Sequence, residues 1–144
     1  VADLLNSVER EGEPIRAAVT LAVCYGLRRS EICGLRWKDI DFEAGTLYVR
    51  NTKTQNGALV IEGEHTKTDK SRRVIFLIDS TVPYLKQLKQ KQEADGLTLD
   101  KVCVWPDGRE VRPDYVTRRT RQIMSKYNLE KIGFMTCAIR RLRS

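Results

Sequence analysis

The stretch Tyr25-Gly-Leu-Arg-Arg-Ser-Glu-Ile-Cys-Gly-Leu-Arg-Trp-Lys-Asp-Ile-Asp41 decides how this chain is read. Gly26 frees a turn after a strongly apolar run, Arg28 follows where a new helix starts, and Glu31 comes three residues later, so both side chains can share one helical face. A basic group held at such a place suits a phosphate, because a planar guanidinium grips two phosphate oxygens and never deprotonates. From spacing alone, an ordinary surface arginine with an i,i+3 glutamate partner is the better account of the pattern. The flanking segments must discriminate.

Upstream, Val1 to Arg10 reads as a short amphipathic helix with Leu4, Leu5 and Val8 at helical spacing. Pro14 suits the first turn of a second helix, whose apolar run from Ile15 to Val23 predicts burial almost all round, with Gly26 as its stop. A third helix is expected at about Arg29 to Trp37, then a turn from Asp39 to Gly45. Downstream the period changes. Thr46 to Arg50, Ala58 to Glu62 and Arg73 to Ile78 are short, rich in Val, Ile and Leu, and divided by turn chemistry, which predicts a three-stranded antiparallel sheet.

Asp79 or Ser80 is expected to cap a helix carrying Val82, Leu85 and Leu88, with Gly96 as its end. Val102 to Trp105 reads as a short extended piece. From Pro113 a last helix places Val116, Ile123, Met124 and Tyr127 on one face and most of its cations elsewhere. The expected fold class is α+β, mainly α-helical, with a small three-stranded antiparallel sheet on one side.

Composition narrows the function. A chain of 144 residues with 41% apolar content makes one folded unit. No run reaches the roughly 18 to 20 apolar residues of a membrane span, and Val1 to Pro14 lacks a signal-peptide layout, so a soluble, cytoplasmic protein is expected. Cys24, Cys33, Cys103 and Cys137 are scattered without metal-ligand spacing and read as small buried apolar residues. The single histidine, His65, excludes any mechanism that needs two of them from this chain. The formal charge of +7 points to an anionic partner, nucleic acid first, although Arg140, Arg141 and Arg143 supply three of those charges.

With these elements in place, Gly26-Leu-Arg-x-x-Glu-x-x-x-Leu-x-Trp-x-Asp-Ile-Asp41 closely resembles the first arginine box of the tyrosine recombinases, the phage and conjugative-transposon integrase family. Tyr25 stands where that family usually has threonine. By this resemblance Arg28 is the first catalytic arginine and Glu31 the acidic residue that buttresses the site. Thr66-Lys-Thr-x-x-Ser71-x-Arg73-x-Ile75-x-Leu77 looks like the hairpin bearing the family's catalytic lysine, here Lys67. Lys53, in a similar Asn-Thr-Lys-Thr, competes, but Gln55, Asn56 and Gly57 follow it instead of Ser-x-Arg and an alternating apolar strand. Val104-Trp-Pro-Asp-Gly108, with Pro113 beyond, is a weaker echo of the loop before a later family helix.

The resemblance runs from about Ala2 to Phe134 and implies a partial catalytic domain over 1–134, with the family's N-terminal core-binding domain not included. It implies that a tyrosine attacks a DNA phosphodiester to give a phosphotyrosyl link and a free 5′ hydroxyl, without metal or cofactor. Two arginines and a histidine stabilise the developing phosphate charge, and a lysine protonates the leaving oxygen. The implied partner is double-stranded DNA, with Arg73, Arg118, Arg119 and Arg121 as further phosphate contacts, largely independent of sequence. Full-length family members assemble on DNA as tetramers; this chain is expected to be a monomer or weak dimer.

The family's His-x-x-Arg box, usually His-Asp-Leu-Arg-His after a phenylalanine, and its nucleophilic tyrosine do not appear. Arg140 and Arg143 have the right mutual spacing but lie five residues too far from Phe134. The genetic code offers an account. Phe-His-Asp-Leu-Arg-His-Ser written TTC CAT GAC CTG CGC CAT TCG loses one C to become TTC ATG ACC TGC GCC ATT CG, which encodes Phe134-Met-Thr-Cys-Ala-Ile-Arg140 as they stand. Residues 135–144 are therefore expected to be a frameshifted, aberrant tail. Tyr25, Tyr48, Tyr84, Tyr115 and Tyr127 all precede the box position, so no nucleophile is expected in this chain and it is expected to be inactive alone. A non-catalytic DNA-binding remnant and a protein-interaction module are the alternatives.

Overall fold

Helix α2 (Ile15–Tyr25) runs through the centre of the core because its residues are apolar on nearly every side: Ile15, Ala17, Ala18, Val19, Leu21 and Ala22 are all buried. The structure, a computed structural model, describes residues 2–64 and 72–129. Around α2 pack α1 (Ala2–Glu11) through Leu4 and Val8, α3 (Arg29–Gly34) through Ile32, α4 (Val82–Ala94) through Leu85 and Leu88, and α5 (Pro113–Lys126) through Val116, Ile123 and Met124. Gly26 ends α2 at φ +68°, returning its N–H to Ala22 O, while Leu27 N–H reaches Leu21 O. That left-handed stop costs glycine little and turns the chain at once into Arg28.

Helix α3 ends at Gly34, earlier than its periodicity suggests. Leu35 is extended, so its carbonyl can accept from Val102 N–H (3.1 Å), and Trp37–Asp39 closes into a single 3₁₀ turn. The Trp37 indole donates to Gln92 Oε1 (2.9 Å), whose Nε2 donates to Val102 O (3.0 Å). The Leu-x-Trp pattern thus ties the end of the arginine segment to α4 and to the strand-like piece before α5.

A three-stranded antiparallel sheet is present, but its membership differs from expectation. Its order is β1 (Ile40–Asp41), β2 (Thr46–Val49), β5 (Arg73–Phe76), with Leu47 facing both Ile40 and Ile75. The expected turn at Asp39 to Gly45 supplies β1. The segment expected as the middle strand instead forms β4 (Leu59–Glu64), paired with β3 (Asn51–Asn56) as a separate hairpin. The reason is local. Gly57-Ala58, with Gly57 at φ +62°, is the two-residue turn that folds β4 straight back on β3. Helix α4 is also capped differently: Thr81, not Asp79 or Ser80, precedes it, and the Thr81 hydroxyl donates to Ile78 O (2.8 Å). Among the described residues no helix is long and apolar enough to cross a membrane.

Candidate functional site

Arg28 sits at the N-cap of α3 in an extended conformation, and its backbone rather than its side chain is tied down. Glu31 reaches back, accepting the Arg28 N–H on Oε1 (2.9 Å). Glu31 is only 3% exposed, and Arg73 grips it from β5 as a two-pronged fork, Nη1 to Oε2 (2.8 Å) and Nη2 to Oε1 (3.1 Å). The buried carboxylate is thereby saturated. The Arg28 guanidinium, by contrast, is exposed and has no hydrogen bond or ion pair among the described residues. The arrangement is that of a held backbone presenting an uncompensated cation to solvent.

A second buried carboxylate repeats the device a few residues later. Asp39 accepts the Arg36 N–H (3.3 Å) and Nε (3.2 Å) on one oxygen and Arg50 Nε (2.7 Å) on the other. Arg36 extends further to Glu64 at the end of β4 (3.2 Å). Two of the three acidic residues of the quoted box, Glu31 and Asp39, therefore hold basic side chains in place, and the Trp-x-Asp spacing that the sequence displays is structural in origin.

Helix α5 carries the remaining cations, and they divide. Arg118 and Arg121 are exposed and make no hydrogen bond or ion pair among the described residues. Arg119 is taken: its Nη2 donates to Glu11 Oε2 (2.7 Å), while Lys126 Nζ (2.6 Å) and Tyr127 Oη (3.0 Å) donate to Glu11 Oε1. The Glu11 carboxyl is held below its ordinary range, first by the Lys126 hydrogen bond and then by that of Tyr127. Arg73 and Arg119 are thus internal ion-pair partners here.

Arg29, next to Arg28, donates to Thr117 Oγ1 (3.2 Å), which sets the start of α3 beside α5. Two adjoining depressions open along this seam. One, about 510 Å³, is lined by Arg29, Thr117, Arg118 and Arg121. The other, about 370 Å³, has Arg109, Arg112 and Arg118 around Trp105 and Tyr115, whose ring centroids lie 4.6 Å apart; Asp114 and Arg118 border both. Arg29, Arg109, Arg112 and the aromatic pair were not picked out by sequence reasoning. The cluster Trp105-Pro-Asp-Gly-Arg-Glu-Val-Arg112 ahead of Pro113 was the available signal: arginines interleaved with aromatics before a helix start.

The tyrosines are occupied. Tyr25 Oη accepts Ile78 N–H (3.0 Å) and shares a hydrogen bond with Thr81, and Tyr84 donates to Glu13 (2.7 Å). Tyr48 lies under the Arg50 guanidinium. Burial pushes the Cys33 thiol up to about 12 and raises that of Cys103, so neither is a nucleophile at neutral pH. Lys53, the competitor for the lysine role, is buried on β3 against Glu110 (3.4 Å). Lys67, with Thr66, Thr68 and Ser71, lies outside the described residues, as do His65 and the tail 135–144.

Comparisons with known proteins bear on the family and the fold. Residues 1–140 match the profile described as the Phage integrase family. A protein described as tyrosine recombinase XerC-like, from Caldanaerobacter subterraneus subsp. tengcongensis, is 31% identical over 100 residues, covering 64% of this chain and 26% of that protein. Among solved structures, XerA recombinase superposes with a TM-score of 0.72 at 17% identity, covering 98% of this chain and 45% of that one. The Tn1549 transposon integrase in complex with circular intermediate DNA gives 0.69 at 22% identity, over 88% and 44%. The lambda integrase catalytic core gives 0.55 at 20% identity, over 98% and 77%. The chain spans about a quarter of the curated relative it matches and less than half of the first two structures.

Proposed function

The chain belongs to the phage integrase family, and on that premise we propose that it is the phosphate-binding part of a site-specific DNA recombinase. The observation that carries the reading is Arg28: a cation exposed and unpaired among the described residues, on a backbone fixed by a buried, saturated carboxylate. Such a group costs little reorganisation when a phosphate arrives, which is what transition-state stabilisation of phosphoryl chemistry requires. Arg28 contacts the phosphate at the reacting position. In the complete recombinase Lys67 supplies the proton to the leaving oxygen, an assignment supported by the family likeness of Thr66-Lys-Thr-x-x-Ser-x-Arg73. Glu31 acts through Arg28 as a positioning residue. Arg118 and Arg121, with Arg29 between α3 and α5, extend the phosphate surface, while Arg73 and Arg119 serve it through their ion pairs with Glu31 and Glu11.

These 144 residues bind duplex DNA without cutting it. They contain one histidine and no His-x-x-Arg sequence, and each tyrosine is engaged inside the fold or stacked beneath or beside another side chain. In isolation the chain is a monomer or weak dimer, a cytoplasmic site fits DNA as its partner, and no metal or organic cofactor takes part. A nicked duplex that traps phosphotyrosyl intermediates tests this. Retarded but non-covalent complexes are expected, and a covalent protein-DNA adduct contradicts the proposal.

A second reading, protein association, has one specific observation in its favour. The outer face of β5 exposes Val74 and Phe76, the latter 78% accessible, beside Tyr48 on β2. Light scattering with and without DNA separates the two: association that needs no DNA and leaves the arginines unused favours the interaction module.

A further inference from the structure

One face of β3 reaches three elements around the arginine seam. Asn51 Nδ2 donates to Gly34 O at the end of α3 (2.7 Å), Lys53 Nζ lies 3.4 Å from Glu110 Oε2, and Gln55 Oε1 accepts the N–H of Asp114 (2.9 Å) in the first turn of α5. These are residues i, i+2 and i+4 of a strand, so they share one side of it. Helix α5 has no local side-chain cap: Arg112 stands at its N-cap and Pro113, which follows, has no N–H. The Asp114 N–H is therefore the first donor left over by the helix, and Gln55 satisfies it from 59 residues away. The Gln55 amide is itself aimed, since its Nε2 donates to Gly57 O (2.9 Å), and Arg112 Nη2 closes the contact by donating to Ala58 O (3.3 Å).

We propose that Gln55 is a positioning residue for DNA binding: a cap delivered from β3 that fixes the start of α5 relative to α3, so that Arg118 and Arg121 meet the same stretch of backbone as Arg28. This rests on the DNA reading above and extends it to a residue that touches no phosphate. Without the cap the cations keep their charge but lose their placing, and two-pronged contacts with phosphate depend on placing.

Gln55→Met keeps the side-chain length and removes the acceptor. Duplex affinity is measured for the full 144-residue chain as wild type, Q55M, R118A/R121A and the combination, with far-UV circular dichroism to show that each is folded. Q55M is expected to weaken binding about 3- to 10-fold, the effect of one lost hydrogen bond, and to add nothing in the R118A/R121A background. An equal loss in both backgrounds overturns the proposal. Amide exchange gives a second readout that needs no DNA and survives a partly destabilised variant. The Asp114 amide exchanges faster in Q55M and stays protected in Gln55→Glu, which retains an acceptor. Unchanged Asp114 protection in Q55M overturns the cap. If wild type binds no duplex, the DNA reading and the binding half of this proposal fall together, while fast Asp114 exchange still identifies the cap.

Discussion

Arg28 and Arg73 show how two like side chains, both drawn from the same sequence reading, part company once their surroundings are known. Glu31 sits between them, accepting the backbone of one and the side chain of the other. The i,i+3 spacing made the pairing of Arg28 with Glu31 legible, but not that Glu31 would take the backbone N–H and leave the guanidinium unpaired among the described residues. The Arg73 contact was not legible either, because Arg73 lies 42 residues further on and arrives through sheet pairing, which no local pattern announces. Replacing Glu31 by Gln leaves the Arg73 guanidinium facing a neutral amide. Since the Arg73 side chain is 36% exposed, water offsets part of the loss. A destabilisation of about 1–3 kcal/mol is expected from the urea midpoint, and an unshifted midpoint would show that the fork contributes nothing.

At the scale of elements, the hairpin β3–β4 is where sequence reasoning and structure diverge most. Strand β4 looks like a sheet member because it carries Leu59, Val60 and Ile61, yet Leu59 and Ile61 face solvent at 60% exposure each. The hairpin is held instead through its polar residues: Asn51 and Lys101 on Glu62, Arg36 on Glu64, Gln55 on α5. Apolar patterning reports strand formation but not strand partners, so the hairpin's separate docking was not readable. Its close approach to α3 has a single point of failure. A Cβ on Gly34 would meet Asn51 O at 2.3 Å, a backbone atom that cannot swing away. Gly34→Ala is expected to lower stability by about 1–3 kcal/mol in thermal unfolding, with wild-type stability contradicting the packing described.

Helices α1 and α5 are joined by Glu11, and that joint depends on pH. Its folded pKa lies below the ordinary carboxylate value of about 4.3. The contribution is therefore complete above that value and disappears as pH falls through the depressed one. Wild type should exceed Glu11→Gln in stability at pH 7, and the gap should be narrower at about pH 4, just below the ordinary carboxylate value. A gap of the same size at both pH values, followed by circular dichroism during denaturation, would show that the Glu11 carboxylate is not what joins the helices.

For the whole molecule, the class of fold, the helical core and the family were all legible, because Gly26 to Asp41 combines a turn, a capped helix start and a tryptophan anchor in a fixed order. Net charge was a weaker guide. Most basic residues of the box and its neighbours are internally paired, Arg36, Arg50 and Arg73 among them, so the +7 overstates what can reach a phosphate. On the proposed DNA reading, the working surface is the small set left unpaired along the α3–α5 seam. The most direct test is duplex affinity over a series of potassium chloride concentrations for wild type and Arg28→Ala. The account predicts salt-sensitive binding by wild type. Arg28→Ala should lower affinity and flatten the slope of log K against log salt by about one unit, with unfolding changed by no more than about 0.5 kcal/mol. Identical affinity and slope in the two proteins would contradict it.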